Sequence, residues 1–270
     1  MPEERCAADG AARQLASAGE VHGKVLLGDW LDLAPRLGPA SVDFLYADPP
    51  FNTGGVRTDR AGAFADRFGS TAGYIAWLGD RLRGTLPALR PSALLLVHVD
   101  WRTSHRVRVL LDELLGADRF VNHLVWSYGL GGSSPRRFAR KHDDLLLYCL
   151  EPERYWFSPP MVPATSRRMA GRQKKATDVL RIPSINNMAG ERTGYPTQKP
   201  LALLELLVRA CCPPGGLVLD PCCGSGTALV AAARHGRRWL GIDSSASAVA
   251  LARRRVAEAT PDADGPSPGQ

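Results

Sequence analysis

Residues 217–227 read LVLDPCCGSGT, and this segment indicates the fold class most clearly. An apolar run that ends at Asp220 predicts a strand, and a helix is predicted from Thr227 onward. Between them, Gly224 and Gly226 permit a tight turn and allow a ligand to approach the backbone. A strand, a glycine-rich turn and a helix in this order are typical of the ligand-binding end of an α/β sheet.

The next predicted strand ends in a carboxylate at Asp243, which suits the two hydroxyls of a ribose. The dinucleotide-binding fingerprint has a third small residue after its glycines, and this chain has Leu229 at that position. The pattern therefore predicts an adenosine-like ligand without strong evidence for a pyrophosphate. The alternative is that Gly224 and Gly226 only form a tight turn.

Predicted strands and helices alternate along most of the chain, which indicates a doubly wound α/β sheet. The predicted strands are 24–29, 41–48, 93–100, 120–128, 144–150, 217–220 and 237–243. The predicted helices are 71–89, 103–116, 200–212, 227–235 and 245–259. Residues 52–70 are expected to form a long loop. Residues 130–194 interrupt the alternation and are expected to be an insertion.

A second motif, Asp48-Pro49-Pro50-Phe51, follows a buried strand at the edge where open α/β sheets place their chemistry. The prolines fix the backbone and supply carbonyl groups without competing N–H donors. A carboxylate and a carbonyl that accept both hydrogens of a nucleobase amine free its lone pair and stabilise the positive charge that develops there. Phe51 can stack on a base that has left the duplex. The alternative is a strand-ending turn with a solvated Asp48.

The positive charge of the chain is concentrated in its middle segment. The 270 residues contain 34 Lys and Arg against 27 Asp and Glu, a net charge of +7. Residues 130–199 contain 13 basic and six acidic residues, which accounts for the whole excess. Such a segment is either a solvated surface or a contact surface for a polyanion such as nucleic acid.

The cysteines and the apolar runs predict a cytoplasmic protein. The six cysteines form no C-x-x-C pair, so we expect reduced, buried thiols and no metal site. No apolar run is long enough to cross a membrane, and the first 20 residues lack the apolar core of a secretory signal.

The motifs together resemble those of the amino-group DNA methyltransferases that use S-adenosylmethionine, in the permuted arrangement of the β class. In this arrangement the Asp-Pro-Pro-Phe motif precedes the glycine-rich loop. Two departures are Cys222, where the family usually has Phe, and Phe51, where Tyr is commoner. The matching stretches are 28–30, 48–52, 192–200, 220–227 and 241–243.

The resemblance implies a Rossmann-like doubly wound methyltransferase fold in which the target base flips out of duplex DNA. Asp48, Pro49, Pro50 and Phe51 would form the catalytic site. S-adenosylmethionine would be bound by Asp29, Thr197, Gln198, Lys199, Asp220, Cys222, Gly224, Gly226, Thr227 and Asp243. The implied divisions are a flexible tail at 1–20, a catalytic half at 21–129, a target-recognition insertion at 130–194, a cofactor-binding half at 195–260 and a flexible tail at 261–270.

The resemblance also implies the partners. The insertion would contact duplex DNA in the nucleoid through Arg136, Arg137, Arg140, Lys141, Arg167, Arg168, Arg172, Lys174 and Lys175. A homodimer and a cognate restriction endonuclease are both compatible with it. Asp at the first catalytic position favours adenine N6 as the target, because members that modify cytosine N4 more often have Ser. Cytosine N4, an inactive DNA-binding relative, and a methyltransferase for RNA or protein amides are the alternatives.

Overall fold

The computed structural model describes residues 22–59, 62–66, 68–129, 133–164, 166–186 and 189–260. The expected tails at 1–20 and 261–270 therefore lie outside the described residues. Cys6 and the glycine pair that precedes the basic segment, Gly131 and Gly132, also lie outside them. Among the described helices, none has the length and apolar character that a membrane span requires.

Strands and helices alternate through the described chain. The strands are β1 (Lys24–Leu27), β2 (Val42–Ala47), β3 (Gly55–Asp59), β4 (Gly62–Asp66), β5 (Leu89–Val99), β6 (Phe120–Ser127), β7 (His142–Cys149), β8 (Met161–Pro163), β9 (Gln173–Lys175), β10 (Val179–Arg181), β11 (Leu217–Asp220) and β12 (Arg238–Asp243). The α-helices are α1 (Trp30–Leu33), α2 (Thr71–Thr85), α3 (Ser104–Leu115), α4 (Leu201–Cys211), α5 (Thr227–Arg234) and α6 (Ala246–Ala259).

A central sheet organises the fold. Within the described ranges it has eight strands in the order β1-β12-β11-β2-β5-β7-β6-β10. Neighbours from β1 to β5 in this order are parallel, whereas β7 is antiparallel to both β5 and β6. The carboxyl ends of β1, β12, β11, β2 and β5 therefore meet at one edge, where the amino end of β7 also lies.

Both faces of the sheet are covered, which explains the continuous apolar runs of its strands. Every residue of β2 is buried. Leu45 packs on the side of α2 and α3, whereas Phe44 packs on the side of α4 and α5. The predicted doubly wound α/β sheet is thereby confirmed.

The prediction of a long loop over residues 52–70 was wrong. Strands β3 and β4 form an antiparallel hairpin there, in which Gly55 pairs with Asp66 and Asp59 pairs with Gly62. A hairpin satisfies the backbone N–H and C=O groups locally, so it forms without the apolar alternation that marks a core strand. The Gly, Asp and Arg residues of this segment concealed the pairing.

The range 130–194 contributes to the central sheet as well as to a peripheral hairpin. Strand β7 lies between β5 and β6, and β10 is parallel to β6 at the edge of the sheet. In the part of the chain that the structure describes, β8 and β9 form a separate two-stranded sheet. The DNA-facing role of this segment stays a prediction.

Candidate active site

Four carboxylates lie where parallel strands end at the same edge of the sheet. Asp220 ends β11 and Asp243 ends β12, whereas Asp48 and Asp29 follow β2 and β1 closely. All four line one cavity of about 510 Å³. The sheet topology therefore brings the two sequence motifs together although they are far apart in the chain.

The glycine-rich loop between β11 and α5 forms one wall of this cavity. Gly224 has a φ of +48° and Gly226 a φ of +76°, which is left-handed backbone that favours glycine. A Cβ atom at Gly224 would lie 3.0 Å from Cε1 of Tyr195, which also lines the cavity. A Cβ atom at Gly226 would lie 2.8 Å from Cβ of Ala252, so Gly226 allows α6 to pack closely without itself lining the cavity.

Leu229 has a structural reason to replace the small residue of the dinucleotide fingerprint. Its side chain is fully buried. A Cβ atom on Gly241 of β12 would lie only 2.5 Å from Cδ1 of Leu229. Because Gly241 has no side chain, it leaves room for Leu229, and α5 packs closely against β12.

Asp243 is held rigidly and keeps acceptor capacity. Its Oδ2 accepts a hydrogen bond from the Gly224 N–H at 2.8 Å, and its Oδ1 accepts one from the Ser245 N–H at 2.8 Å. A carboxylate can accept about four hydrogen bonds, so two further donors can be served. Burial raises the pKa of Asp243 above its usual range, partly offset by the two backbone N–H groups.

Asp220 is the most deeply buried acid of the cavity. It is 3% exposed, and its Oδ1 accepts a hydrogen bond from the Cys222 N–H at 3.2 Å. Burial raises its pKa well above the usual range, and the charges of Asp48 and Asp243 raise it further. Burial also raises the pKa of the neighbouring Cys222 thiol. A positively charged ligand in this cavity would stabilise the carboxylate form of Asp220.

Asp29 is anchored at the far end of the cavity by a forked ion pair. Nη2 of Arg81 lies 2.8 and 2.9 Å from the two carboxylate oxygens of Asp29. The guanidinium group of Arg81 also stacks over Trp77, 4.1 Å from the ring centroid. Trp77 and Arg81 both line the cavity, which gives this end a flat aromatic and cationic surface.

Asp48 faces the cavity from the end of β2 and pairs with Lys199. Nζ of Lys199 contacts Oδ2 of Asp48, and the two side chains are only 11% and 16% exposed. Lys199 also lies 5.1 Å from the centroid of the Phe51 ring. Pro49 and Pro50 line the same cavity. The four residues of the Asp-Pro-Pro-Phe motif are therefore placed together at the carboxyl end of the sheet.

Sequence reasoning missed a buried histidine behind Asp48. His98, in β5, is fully buried, and its Nδ1 lies 2.9 Å from the Tyr46 hydroxyl. Its Nε2 lies 3.2 Å from Oδ2 of Asp143, so an Nε2–H tautomer satisfies both contacts. The Phe51 ring centroid lies 5.7 Å from that of His98. The signal was the polar His98 within the apolar run ALLLVHVD, which a strand buried on both faces does not need.

Asp143 links this histidine to a second cavity. Burial alone would raise the pKa of Asp143, but the hydrogen bond from His98 lowers it below the usual value. The hydroxyl of Tyr128 donates to Oδ1 of Asp143 at 3.4 Å, and burial together with Asp143 raises the pKa of Tyr128 to about 12. Because Nδ1 of His98 also lies 3.9 Å from Oδ1 of Asp48, a chain of polar groups runs from Asp48 through His98 and Asp143 to Tyr128.

The second cavity, of about 600 Å³, adjoins the first. Phe51, Pro196, Thr197 and Lys199 line both cavities. The second has aromatic walls and basic residues, which are Trp101, Trp126, Tyr128, Arg102, Arg137 and Arg140. The guanidinium group of Arg140 lies 3.3 Å from the ring centroid of Trp101.

The remaining predicted cofactor residues differ in their surroundings. Thr197 lines both cavities, and Cys222 and Thr227 line the first. Gln198 lines only the second, because its amide braces the loop before α4. Its Oε1 accepts from the Thr193 N–H at 2.9 Å, and its Nε2 donates to the Glu191 carbonyl at 2.6 Å.

The predicted DNA-contacting residues fall into two groups. Arg136, Arg137, Arg140 and Lys141 precede β7, and two of them line the second cavity. The others follow β8 or belong to β9, and neither cavity includes them. They are Arg167, Arg168, Arg172, Lys174 and Lys175.

The described residues contain no group of His, Cys, Asp and Glu arranged to hold a metal ion. Cys149, Cys211, Cys212, Cys222 and Cys223 are free thiols, and all except Cys222 are buried. Burial raises the pKa of Cys212 to about 12, so this thiol is not ionised near neutral pH.

Comparison with known proteins identifies relatives of this chain. The family model described as DNA methylase, for N6 and N4 methyltransferases, matches residues 42–254. A type II methyltransferase of Streptomyces caespitosus, M.ScaI, is 27% identical over 236 residues, which cover 80% of this chain and 75% of that protein. The DNA adenine methyltransferase YhdJ of Escherichia coli is 23% identical over 248 residues, which cover 86% and 82%.

A solved structure shares the fold. The complex of M1.HpyAVI with SAM aligns with a TM-score of 0.62 at 20% identity and covers 86% of this chain and 98% of that one.

Proposed function

Since the chain belongs to the DNA methylase family, we propose that it transfers a methyl group from S-adenosylmethionine to the exocyclic N6 amine of an adenine in duplex DNA. The observation that carries the proposal is the position of Asp48. Its carboxylate lies at the end of β2, in a cavity that it shares with Asp220 and Asp243.

The first cavity fits S-adenosylmethionine. Asp243 can accept hydrogen bonds from two ribose hydroxyls. Gly224, which has no side chain, places its backbone at the cavity wall. Asp220 and Asp48 provide negative charge for the cationic methionine portion. When bound, S-adenosylmethionine supplies an electrophilic methyl group on a positively charged sulfur. The SAM complex of M1.HpyAVI, a protein of the same fold, supports this choice of cofactor.

Trp77 and Arg81 offer the flat surface that an adenine ring requires, at the end of the cavity where Asp29 lies. The 192–199 segment closes the opposite side through Tyr195 and Thr197. We place the adenine ring against Trp77 and Arg81 and the ribose at Asp243, because all three line the cavity and Asp243 keeps acceptor capacity.

Asp48 activates the amine by accepting a hydrogen bond from one of its N–H groups, and the carbonyl of Pro49 accepts a hydrogen bond from the other. Both acceptors draw the amine toward a pyramidal nitrogen with a free lone pair, and both stabilise the positive charge that develops there. Lys199 contacts Oδ2 of Asp48, and Nδ1 of the buried His98 lies 3.9 Å from Oδ1, so both residues hold the carboxylate at the cavity wall.

The second cavity gives the target base its route to Asp48. Its walls present Trp101, Trp126 and Tyr128, and Phe51 forms the boundary with the first cavity. A base that has left the duplex can stack on such rings and keep its amine directed at the boundary. Arg137 and Arg140 at the same cavity suit the phosphates on either side of that base.

Adenine is favoured over cytosine by Asp48, because cytosine-N4 members of the family more often have Ser at this position. The curated relative YhdJ, named a DNA adenine methyltransferase, supports the same choice. The cytosine N4 amine has similar geometry and is the second candidate. Residues 130–194 are proposed as the DNA-contacting segment between the catalytic and cofactor-binding halves. The type II methyltransferase M.ScaI supports a cognate restriction endonuclease as a further partner.

The test is methylation of plasmid DNA by the purified protein with S-adenosylmethionine that carries a deuterated methyl group. The DNA is then digested and its nucleosides are analysed by mass spectrometry. We expect N6-methyl-2′-deoxyadenosine that carries the deuterated methyl group. N4-methyldeoxycytidine as the sole product would contradict the choice of base, and no labelled nucleoside would contradict DNA methylation altogether.

A further inference from the structure

Phe138 is almost completely exposed. It is 98% exposed, whereas the next most exposed large apolar residues in the described ranges, Leu27 and Val109, are 55% exposed. Leaving an entire phenyl ring in water is unfavourable compared with burying it. The ring is therefore available for a contact with another molecule.

The charges around Phe138 define the chemistry of that molecule. Arg136, Arg137, Arg140 and Lys141 lie within three residues of it, and residues 133–142 contain no Asp or Glu. An apolar ring among cations fits a partner that has phosphates outside and flat apolar surfaces within. Duplex DNA has this composition, because its stacked bases lie inside two phosphate backbones.

Phe138 lies beside the proposed route of the target base. Arg137 and Arg140, which line the second cavity, are one and two residues away from it. Consecutive Cα atoms are about 3.8 Å apart, so the backbone of Phe138 adjoins the wall of that cavity. The same cavity is bounded by Phe51, which lies beside Asp48.

We propose that Phe138 inserts into the DNA stack and fills the space that the target base leaves when it flips out. The inference rests on the proposed function, because it requires methylation of a base that is extrahelical. Extruding a base costs stacking and pairing energy, and an inserted apolar side chain offsets part of that cost. Phe138 is thus a positioning residue that acts on the DNA rather than on the amine.

The test compares two DNA duplexes that carry the methylation site found by sequencing modified DNA. One is fully paired, and the other has an abasic position opposite the target base, which lowers the cost of flipping. The proteins are wild type, Phe138→Ala and Phe138→Trp. We expect Phe138→Ala to lower kcat/KM on the paired duplex by roughly tenfold, with little loss on the abasic duplex. Phe138→Trp should retain most of the activity on both.

Phe157→Ala is the matched control. Phe157 is also exposed, at 41%, but neither cavity includes it, and the residues on either side of it form backbone hydrogen bonds elsewhere. The Trp156 N–H donates to the Ser92 carbonyl near the start of β5, and the Ser158 N–H donates to the Ala210 carbonyl. We expect this variant to match wild type on both duplexes.

Two results would overturn the inference alone, given an active wild-type protein. One is a Phe138→Ala variant that is as active as wild type on the paired duplex. The other is an equal loss on both duplexes, which would mean that the ring contributes only general affinity. A wild-type protein that methylates neither duplex would instead refute the proposed function, and the inference would fail with it.

Discussion

Nζ of Lys199 and the carboxylate of Asp48 form an ion pair at the boundary between the two cavities. The residues are 151 positions apart in the chain. Lys199 precedes α4 on one face of the sheet, and Asp48 follows a central strand. The pair therefore joins the loop that closes the cofactor cavity to the group that we assign to the target amine, and it also touches the Phe51 ring.

Replacing Asp48 should remove catalysis and leave DNA binding intact. We expect Asp48→Ala to reduce methyl transfer by roughly 10²–10³-fold or more, the usual cost of one preorganised electrostatic group. Transfer of labelled methyl groups measures the rate, and fluorescence anisotropy with a DNA duplex measures binding. Methylation at the wild-type rate would contradict the role of Asp48.

Removing the cation from the ion pair should destabilise the protein. Lys199→Gln leaves a largely buried Asp48 carboxylate without its partner, so we expect a loss of about 2 kcal/mol in the free energy of unfolding. The double variant Asp48→Asn/Lys199→Gln removes both charges and should recover most of that loss. Urea denaturation measures the free energy of unfolding of the single and the double variant. Losses that simply add would show that the two side chains are not coupled.

Asp220 should make the protein less stable as the pH rises. Its pKa is raised in the folded state, so the folded chain binds more protons than the unfolded chain above the ordinary Asp pKa, and stability falls with increasing pH. Asp220→Asn keeps the acceptor for the Cys222 N–H and removes this dependence. We expect the variant to be about 1 kcal/mol more stable at pH 8 and to bind S-adenosylmethionine more weakly.

Urea denaturation from pH 4 to pH 8, without S-adenosylmethionine, compares Asp220→Asn with wild type. The difference in unfolding free energy should grow in favour of the variant as the pH increases. A difference that is constant with pH would contradict the raised pKa of Asp220.

The basic residues before β7 should set the salt dependence of DNA binding. Each phosphate contact contributes a slope of about −0.9 in a plot of log K against log salt concentration. Replacing Arg136, Arg137, Arg140 and Lys141 with Gln should weaken binding and flatten the slope. Replacing the β8–β9 cluster (Arg167, Arg168, Arg172, Lys174 and Lys175) tests the other predicted contacts separately. Unchanged slopes in both variants would contradict DNA contact by this segment.

We expect the effects of substitutions at Gly241 and Leu229 on the free energy of unfolding to be coupled. Gly241→Ala places a Cβ atom 2.5 Å from Cδ1 of Leu229, and we expect a loss of about 1–3 kcal/mol from overpacking. Leu229→Ala in the same chain should relieve part of it. Gly190→Ala is the control, since no heavy atom of the described residues, its chain neighbours aside, lies within 4 Å of its Cβ position. Equal effects of the Gly190 and Gly241 variants in thermal unfolding would contradict the packing explanation.

The sequence alone was sufficient for the doubly wound α/β class and for the two motifs, because their signals are local, but it did not predict β10 at the edge of the sheet. The apolar run of β2 predicts its burial, and the glycines after Asp220 predict a tight turn. The acid at Asp243 marks the end of the next strand. Contacts between distant segments were not predictable in this way. His98 looks like one polar residue in an apolar strand, and only the pairing of β5 with β7 brings Asp143 to it. The same holds for Lys199, whose partner Asp48 depends on how α4 packs against the sheet.

The hairpin of β3 and β4 was missed for another reason. Its backbone pairing needs no buried face, so the segment carries no hydrophobic period. Leu229 was identified as a departure from the dinucleotide fingerprint, but its compensation by Gly241 on the neighbouring strand required the packed structure.

The most direct measurement is sequencing that detects modified bases in DNA from a host that lacks its own amino methyltransferases. One culture expresses the wild-type chain and another expresses Asp48→Ala. We predict N6-methyladenine at one short sequence with the wild type and none with the variant. Equal methylation in both cultures, or no modified base in either, would contradict the assignment of Asp48 to amine methylation in DNA.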